Sequence, residues 1–388
     1  MSMNAFDMGL YWLGTALVVA GAIYACVVLY VVLKSPRGPD VPSARVGVSG
    51  HPQPVSVLKP LCGAEPRLYE NLRSFCVQAY PDYELIFGVR DNEDPAIDVV
   101  RRLRAEFPQL DIALVINSRL YGSNPKVSNL INMLPRARYG WFVLADSDIS
   151  VPADYLTRVV APLADSDVGI VTCLYHGVAG RGFWSRMGRL FIDDWFVPSV
   201  RLAHAFGSTR FSFGSTIAMR REVLVSIGGF EALRDTLADD FWLGELTRQK
   251  SLRTVLSDLL VATEVSDVGF STLWARELRW LRIIRSIAPL GFIPTCLCFT
   301  TPVVLLGLAL APGVPNGILA LLGLGSRALL YFSRPEFKHA TPLWRELLLI
   351  PLRDALLLLE WAVALTGWQV KWRGAVLHSR GKGTASRY

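Results

Sequence analysis

The sequence predicts an α/β domain built on a mainly parallel sheet, with transmembrane helices at the N- and C-termini. Three observations predict it. Between residues 54 and 172, short β-rich apolar runs alternate with longer segments of helical spacing. One of these runs, Trp141-Phe142-Val143-Leu144-Ala145, stops abruptly at Asp146-Ser147-Asp148, as a buried strand does when it ends at a charged site. The chain is also 52% hydrophobic and 19% charged over 388 residues, with a mean hydropathy of +0.34, too apolar for an ordinary soluble enzyme.

Taken in order, residues 10–33 form an uncharged apolar run, long enough to cross a bilayer core that needs roughly 20 helical residues. A cleavable signal peptide is excluded by the length of the run, the lack of a preceding basic region and the stop at Lys34-Ser35-Pro36-Arg37. We therefore expect a membrane helix over 1–34 and a Pro/Gly/Ser-rich linker over 35–53. A catalytic domain is expected over 54–268. Its strands are read at 54–58, 83–89, 112–116, 141–145 and 168–172, with helices near 67–78, 95–107 and 152–163.

An interfacial amphipathic helix is expected over 269–286, membrane helices over 287–370 and a basic tail over 371–388. Residues 287–310 and 314–332 read as a helical hairpin joined by Ala311-Pro312-Gly313. The third apolar stretch, 347–365, carries Arg353, Asp354 and Glu360, each costly at a bilayer centre. A full span there would place Lys371, Arg373, Arg380, Lys382 and Arg387 opposite a cytoplasmic domain, against the positive-inside tendency, so this stretch is expected to be re-entrant or interfacial.

The net charge of +7 is crowded after Leu33, around 276–285 and in the tail, which suits a cytoplasmic membrane face. No zinc finger, RNP motif or basic stacking helix supports nucleic-acid binding. No Gly-x-Gly-x-x-Gly or Gly-Lys-Ser/Thr loop follows the first strand, so dinucleotide binding and ATP hydrolysis lose support. The six cysteines lack zinc-site spacing and read as reduced and structural.

Chemistry concentrates at five places. On an extended backbone Asp146 and Asp148 point to the same face, where two carboxylates can share a divalent cation with a phosphate; a loop capping the next helix is the alternative. Asp91, after the second strand, offers a carboxylate to a uracil or ribose, or forms a turn. Lys126, in Asn124-Pro125-Lys126, offers an ammonium to a phosphate or is a solvated first-turn residue. Asp239 and Asp240, after Gly228-Gly229-Phe230, either favour a helix N-terminus or supply a base for an attacking hydroxyl. In the helix expected over 271–285, Trp274, Leu278 and Leu281 fall on one side and Arg276, Arg279 and Trp280 roughly opposite. The two arginines suit phosphate oxygens, and Arg282 and Arg285 suit anionic lipid.

Together, the stretch from Pro54 to Leu61, Tyr80-Pro81-Asp82-Tyr83-Glu84, Asp94-Pro95-Ala96-Ile97-Asp98, Asn124-Pro125-Lys126, Asp146-Ser147, Ala238-Asp239-Asp240-Phe241 and Arg276-x-x-Arg279-Trp280 resemble the ceramide glucosyltransferases, glycosyltransferase family 21. The similarity runs from about Pro54 into the first C-terminal span and extends to bacterial relatives associated with hopanoid glycosylation. It implies a GT-A fold, an inverting mechanism, a UDP-sugar donor and a lipid alcohol acceptor. By matching position, Asp91 would contact the uridine, and Asp146 with Asp148 would hold a Mg2+ or Mn2+ ion and the diphosphate. Lys126 and Asp239 join the expected donor-binding set. Asp240 would be the catalytic base, with Arg276, Arg279 and Trp280 near diphosphate and acceptor. Animal ceramide enzymes carry Asp-Ser-Gly where this chain has Asp146-Ser147-Asp148, which favours direct metal binding and loosens the inference to ceramide.

The expected activity is transfer of glucose or N-acetylglucosamine to ceramide, a hopanoid polyol or another membrane alcohol such as diacylglycerol. The alternatives are a hopanoid N-acetylglucosaminyltransferase, a processive polysaccharide synthase, for which two or three C-terminal spans are few, and a non-catalytic nucleotide-sugar-binding scaffold.

Overall fold

The computed structural model describes residues 4–35, 52–333, 346–372 and 375–378. Most of the expected linker and of the basic tail, including Arg373, Arg380, Lys382 and Arg387, lie outside them. Two compact units emerge among the described residues: 52–178 with 208–266, and 4–35 with 179–207, 267–333, 346–372 and 375–378. The segment 179–207, read from sequence as part of the catalytic domain, groups with the terminal helices.

The first unit is built on a mixed sheet. Its strands are β1 (Val55–Pro60), β2 (Tyr83–Val89), β3 (Asp111–Ile116), β4 (Trp141–Leu144), β5 (Ile149–Ser150), β6 (Val168–Ala179), β7 (Ile217–Arg220) and β8 (Arg253–Val265). Their order is β3-β2-β1-β4-β7-β6-β8-β5. β3, β2, β1 and β4 are parallel neighbours, as the alternating pattern predicts. β7 then pairs antiparallel with both β4 and β6. The run at 168–172, read as a fifth parallel strand, therefore belongs to an antiparallel half. Its partner β7 is only four residues long and follows a Gly/Ser/Thr-rich stretch that hides it.

The strands are apolar on both faces because helices cover both. Val55, Val57, Leu85, Phe87 and Val143 face a core completed by the helices Leu68–Cys76, Ala96–Glu106 and Tyr155–Val160. The alternate residues Leu58, Ile86, Phe142 and Leu144 face a second core with the helix Pro125–Met133. Each fully buried side chain of this size contributes about 1.5–3 kcal/mol, so neither face can be exposed cheaply. Strand order reverses between β1 and β4, and in such sheets ligands bind beyond the carboxyl ends of the strands at that reversal. Lys59-Pro60 and Asp146-Ser147-Asp148 stand there.

In the second unit, the helices Ala5–Lys34 and Val314–Phe332 are each long and apolar enough to cross a membrane. Small residues let the first of these approach the helix Thr300–Leu310 closely. A Cβ on Gly14 would come within 2.7 Å of the Gly307 carbonyl oxygen, and one on Gly307 within 2.7 Å of that of Gly14. The hairpin turn at 311–313 is where the sequence places it. Its first arm is not one straight helix, because Pro289–Cys298 and Thr300–Leu310 meet at 74° around Phe299. Pro289, Pro294 and Pro302 each remove a backbone donor from this arm.

The helix Leu349–Ala364 has 16 residues. At ~1.5 Å per residue it reaches about 24 Å, short of the ~30 Å hydrocarbon core. Its charges face protein partners: Asp354 accepts from Thr301 Oγ1 at 2.8 Å and pairs with Arg327 at 2.9 Å.

Candidate active site

The site is assembled at the carboxyl end of β4. Asp146 donates its backbone N–H to the Gly214 carbonyl at 3.0 Å and receives the Lys59 ammonium on its own carbonyl at 2.8 Å. Its carboxylate, 39% exposed, pairs through Oδ1 with Lys126 Nζ at 2.7 Å. Lys126 also stands 3.2 Å from Asp239 Oδ2.

Asn124 aims that lysine. It caps the helix Pro125–Met133, its side-chain oxygen accepting from the backbone N–H groups of Lys126 and Val127. Its amide nitrogen donates to the Thr236 carbonyl at 2.7 Å, which ties the cap to the turn leading into the helix Asp239–Arg248. Lys126 is thus no solvated first-turn residue. Burial opposes its charge, but Asp146, Asp239 and Asp240 outweigh that and hold the ammonium above the ordinary lysine range.

Asp240 opens the helix Asp239–Arg248 and accepts from the Gly214 N–H at 3.1 Å and from the Phe241 N–H at 2.8 Å. Burial and then the neighbouring Asp239 push its carboxyl up to about 6, with Lys126 pulling the other way. Asp148 behaves alike: burial, then Asp146, raises it to about 6, against the hydrogen bond it accepts from Thr263 Oγ1 at 2.9 Å.

That mutual repulsion is the observation relevant to a metal. Residues 146–149 turn instead of running extended as the sequence pattern predicts, the Ile149 N–H reaching the Asp146 carbonyl at 3.4 Å, yet the Asp146 charge still raises Asp148, and a divalent cation beside them would relieve that repulsion. Among the described residues no group of three or more His, Cys, Asp or Glu is arranged to hold a metal. Two carboxylates with substrate oxygens completing the shell is an ordinary arrangement for magnesium, so the residues fit such an ion.

Asp91 is not joined to this cluster. It lies exposed beyond the end of β2 and accepts from the Glu93 N–H at 3.0 Å, so the turn-forming alternative describes its geometry. Arg276, Arg279 and Trp280 belong to the other compact unit. Their helix, Phe270–Ile287, buries Leu273, Glu277, Leu281 and Arg285. Of the apolar side read from sequence, Trp274, Leu278 and Leu281, only Leu281 lies in that stripe. The stripe is shifted because Glu277 is drawn inside by an ion pair with Arg353 at 2.8 Å. Arg282, partly exposed, and Arg285, buried, are both tied to the segment that follows the helix Leu349–Ala364. Arg282 donates to the carbonyls of Thr366 and Gln369, and Arg285 donates to that of Gly367 and stacks 3.7 Å over Trp368.

Three residues were missed. Lys59 is fully buried, lies over the Phe75 ring at 3.7 Å and is lowered to about 7 by burial, against the pull of Asp148 and Asp146. Its signal was a lysine at the end of an otherwise apolar strand. Gly214 is needed because a Cβ there would meet Asp146 Oδ2 at 2.5 Å. Thr263 sits in the alternating buried half of β8, a pattern legible at residues 259–265.

A family model described as "Glycosyl transferase family 21" matches residues 13–385. Ceramide glucosyltransferase 1 of Caenorhabditis elegans is 26% identical over 236 residues, 61% of this chain and 50% of that protein. The ceramide glucosyltransferase of Komagataella phaffii is 32% identical over 113 residues, 28% of this chain and 22% of that one. The chain spans about half the length of the C. elegans relatives it matches. Among solved structures, the mannosyltransferase PcManGT from Pyrobaculum calidifontis, in complex with GDP-Man and Mn2+, is similar with a TM-score of 0.53 at 21% identity. That match covers 91% of this chain and 98% of the other, and shows a likeness of GT-A-type fold.

Proposed function

This chain belongs to glycosyl transferase family 21, and on that premise we propose that it is an inverting membrane transferase that moves glucose or N-acetylglucosamine from a UDP-sugar to a lipid hydroxyl. The observation that carries this reading is Asp240. Its carboxyl is raised to about 6 and hydrogen-bonded to the Gly214 N–H, in one cluster with Asp146, Asp239 and Lys126 at the reversal of the sheet. A base is most effective with a pKa near the working pH.

The lipid hydroxyl attacks the anomeric carbon while Asp240 takes its proton, and the bond from that carbon to the diphosphate breaks with its electron pair leaving on UDP. Lys126 can release one carboxylate and turn its ammonium to the phosphate oxygens as their charge develops. Asp146 and Asp148 would hold a Mg2+ or Mn2+ ion, which when bound supplies charge neutralisation to the diphosphate. Asp91 is assigned to the uridine and Asp239 to placing Lys126. Arg276, Arg279 and Trp280 are assigned to diphosphate and acceptor. The relatives named as ceramide glucosyltransferases support a lipid acceptor, and the apolar helices support a membrane location. We place the α/β unit on the cytoplasmic face of a bacterial inner membrane.

The test is expression in a host lacking glycolipids, followed by lipid mass spectrometry. A new lipid carrying one hexose or N-acetylhexosamine supports the proposal, and its mass separates ceramide, hopanoid and diacylglycerol acceptors. A polymeric product would point to a processive synthase. No new lipid, with no UDP release across a broad lipid panel, would leave only a binding scaffold.

A further inference from the structure

We propose that the helix Leu349–Ala364 positions the Arg-x-x-Arg-Trp element, with Arg353 as the positioning residue. The inference rests on the diphosphate role assigned above to Arg276. Arg353, Glu277 and Glu360 are fully buried. Arg353 Nη2 stands 2.8 Å from Glu277 Oε2 and 2.7 Å from Glu360 Oε2. Three ionisable groups taken out of water form a costly arrangement that apolar side chains could replace, and what such a cluster adds is a fixed direction.

That direction is passed on by two routes. Glu277 commits Oε2 to Arg353 and turns Oε1 toward Arg276 at 3.4 Å, while Asp267 holds the other end of the same guanidinium at 2.6 Å. Arg353 also lies 5.8 Å from the centre of the Phe191 ring, which packs 5.3 Å from the indole of Trp280. Arg276 in turn lies 5.2 Å over that indole, one helical turn away. Two of the three members of the element, Arg276 and Trp280, are therefore set by side chains that Arg353 contacts. A helix that reads from sequence as re-entrant or interfacial carries the residue that holds them.

The test is a double-mutant cycle on the full-length protein in detergent, read as the dissociation constant of UDP in the presence of Mn2+. Arg276→Ala and Arg353→Met are each expected to weaken UDP about 10-fold, and the double variant no more than the weaker single. Arg353→Lys, which keeps the charge without the planar fork, should fall between wild type and Arg353→Met. A double variant weakened by the product of the two effects, or Arg353→Met binding UDP like wild type, overturns the proposal. If Arg353→Met does not fold, near-isosteric Glu277→Gln replaces it in the same cycle, with the same outcomes. Wild-type UDP affinity in Arg276→Ala would overturn it differently, by removing the diphosphate role itself.

Discussion

Lys126 Nζ stands 2.7 Å from Asp146 Oδ1 and 3.2 Å from Asp239 Oδ2, so one ammonium joins the end of β4 to the start of the helix bearing Asp240. It counters the burial and the Asp239 charge that raise Asp240. Lys126→Met should therefore raise Asp240 further and move the acid limb of kcat/KM from about pH 6 upward by about 1 unit. A pH–rate profile measures this, and an unmoved limb would separate Lys126 from Asp240.

Asp240→Asn should lower kcat by about 100- to 10,000-fold with UDP affinity nearly intact. Its stability should move the other way. A carboxyl raised from its ordinary ~3.9 is destabilising while ionised, and that penalty is relieved only as pH falls through about 6. At pH 7.5 the neutral amide removes it, so Tm should stay level or rise, by about 2–4 °C per kcal/mol recovered. Thermal unfolding checks the sign.

Chelation should abolish transfer, and Mg2+ or Mn2+ should restore it, because Asp146 and Asp148 repel each other without a cation between them. Asp148→Asn should raise the metal concentration needed for half-maximal activity. Undiminished transfer in EDTA would sink the metal assignment.

Gly214→Ala should lower activity by about 10- to 100-fold, since the new methyl would meet Asp146 Oδ2 at 2.5 Å and the carboxylate must shift. The fold should survive, so circular dichroism and Tm near wild type would show that the loss is local.

Gly14→Leu or Gly307→Leu would drive a side chain into the facing backbone and should cost about 1–3 kcal/mol, read as a lower Tm in detergent. The α/β unit has its own cores, so UDP binding should outlast this change at moderate temperature.

The sequence by itself determined the parallel half of the sheet, the helices between its strands, the apolar terminal helices and the family. These are written in local periodicity: the β1, β2 and β4 runs are apolar on both faces, and Asp146-Ser147-Asp148 ends one of them wherever the rest of the chain goes. Only the tertiary structure decided the antiparallel strands β7 and β8, whose pairing joins segments distant in the chain. It also decided that Lys126 faces carboxylates, that Lys59 is buried beneath the Asp146 carbonyl and that Glu277 points inward. For each of these three the deciding partner lies far along the chain: Asp146 and Asp239 for Lys126, Phe75 and Asp146 for Lys59, Arg353 for Glu277. A charged side chain's direction is set by where its counter-charge folds, and helical or strand spacing carries no record of that.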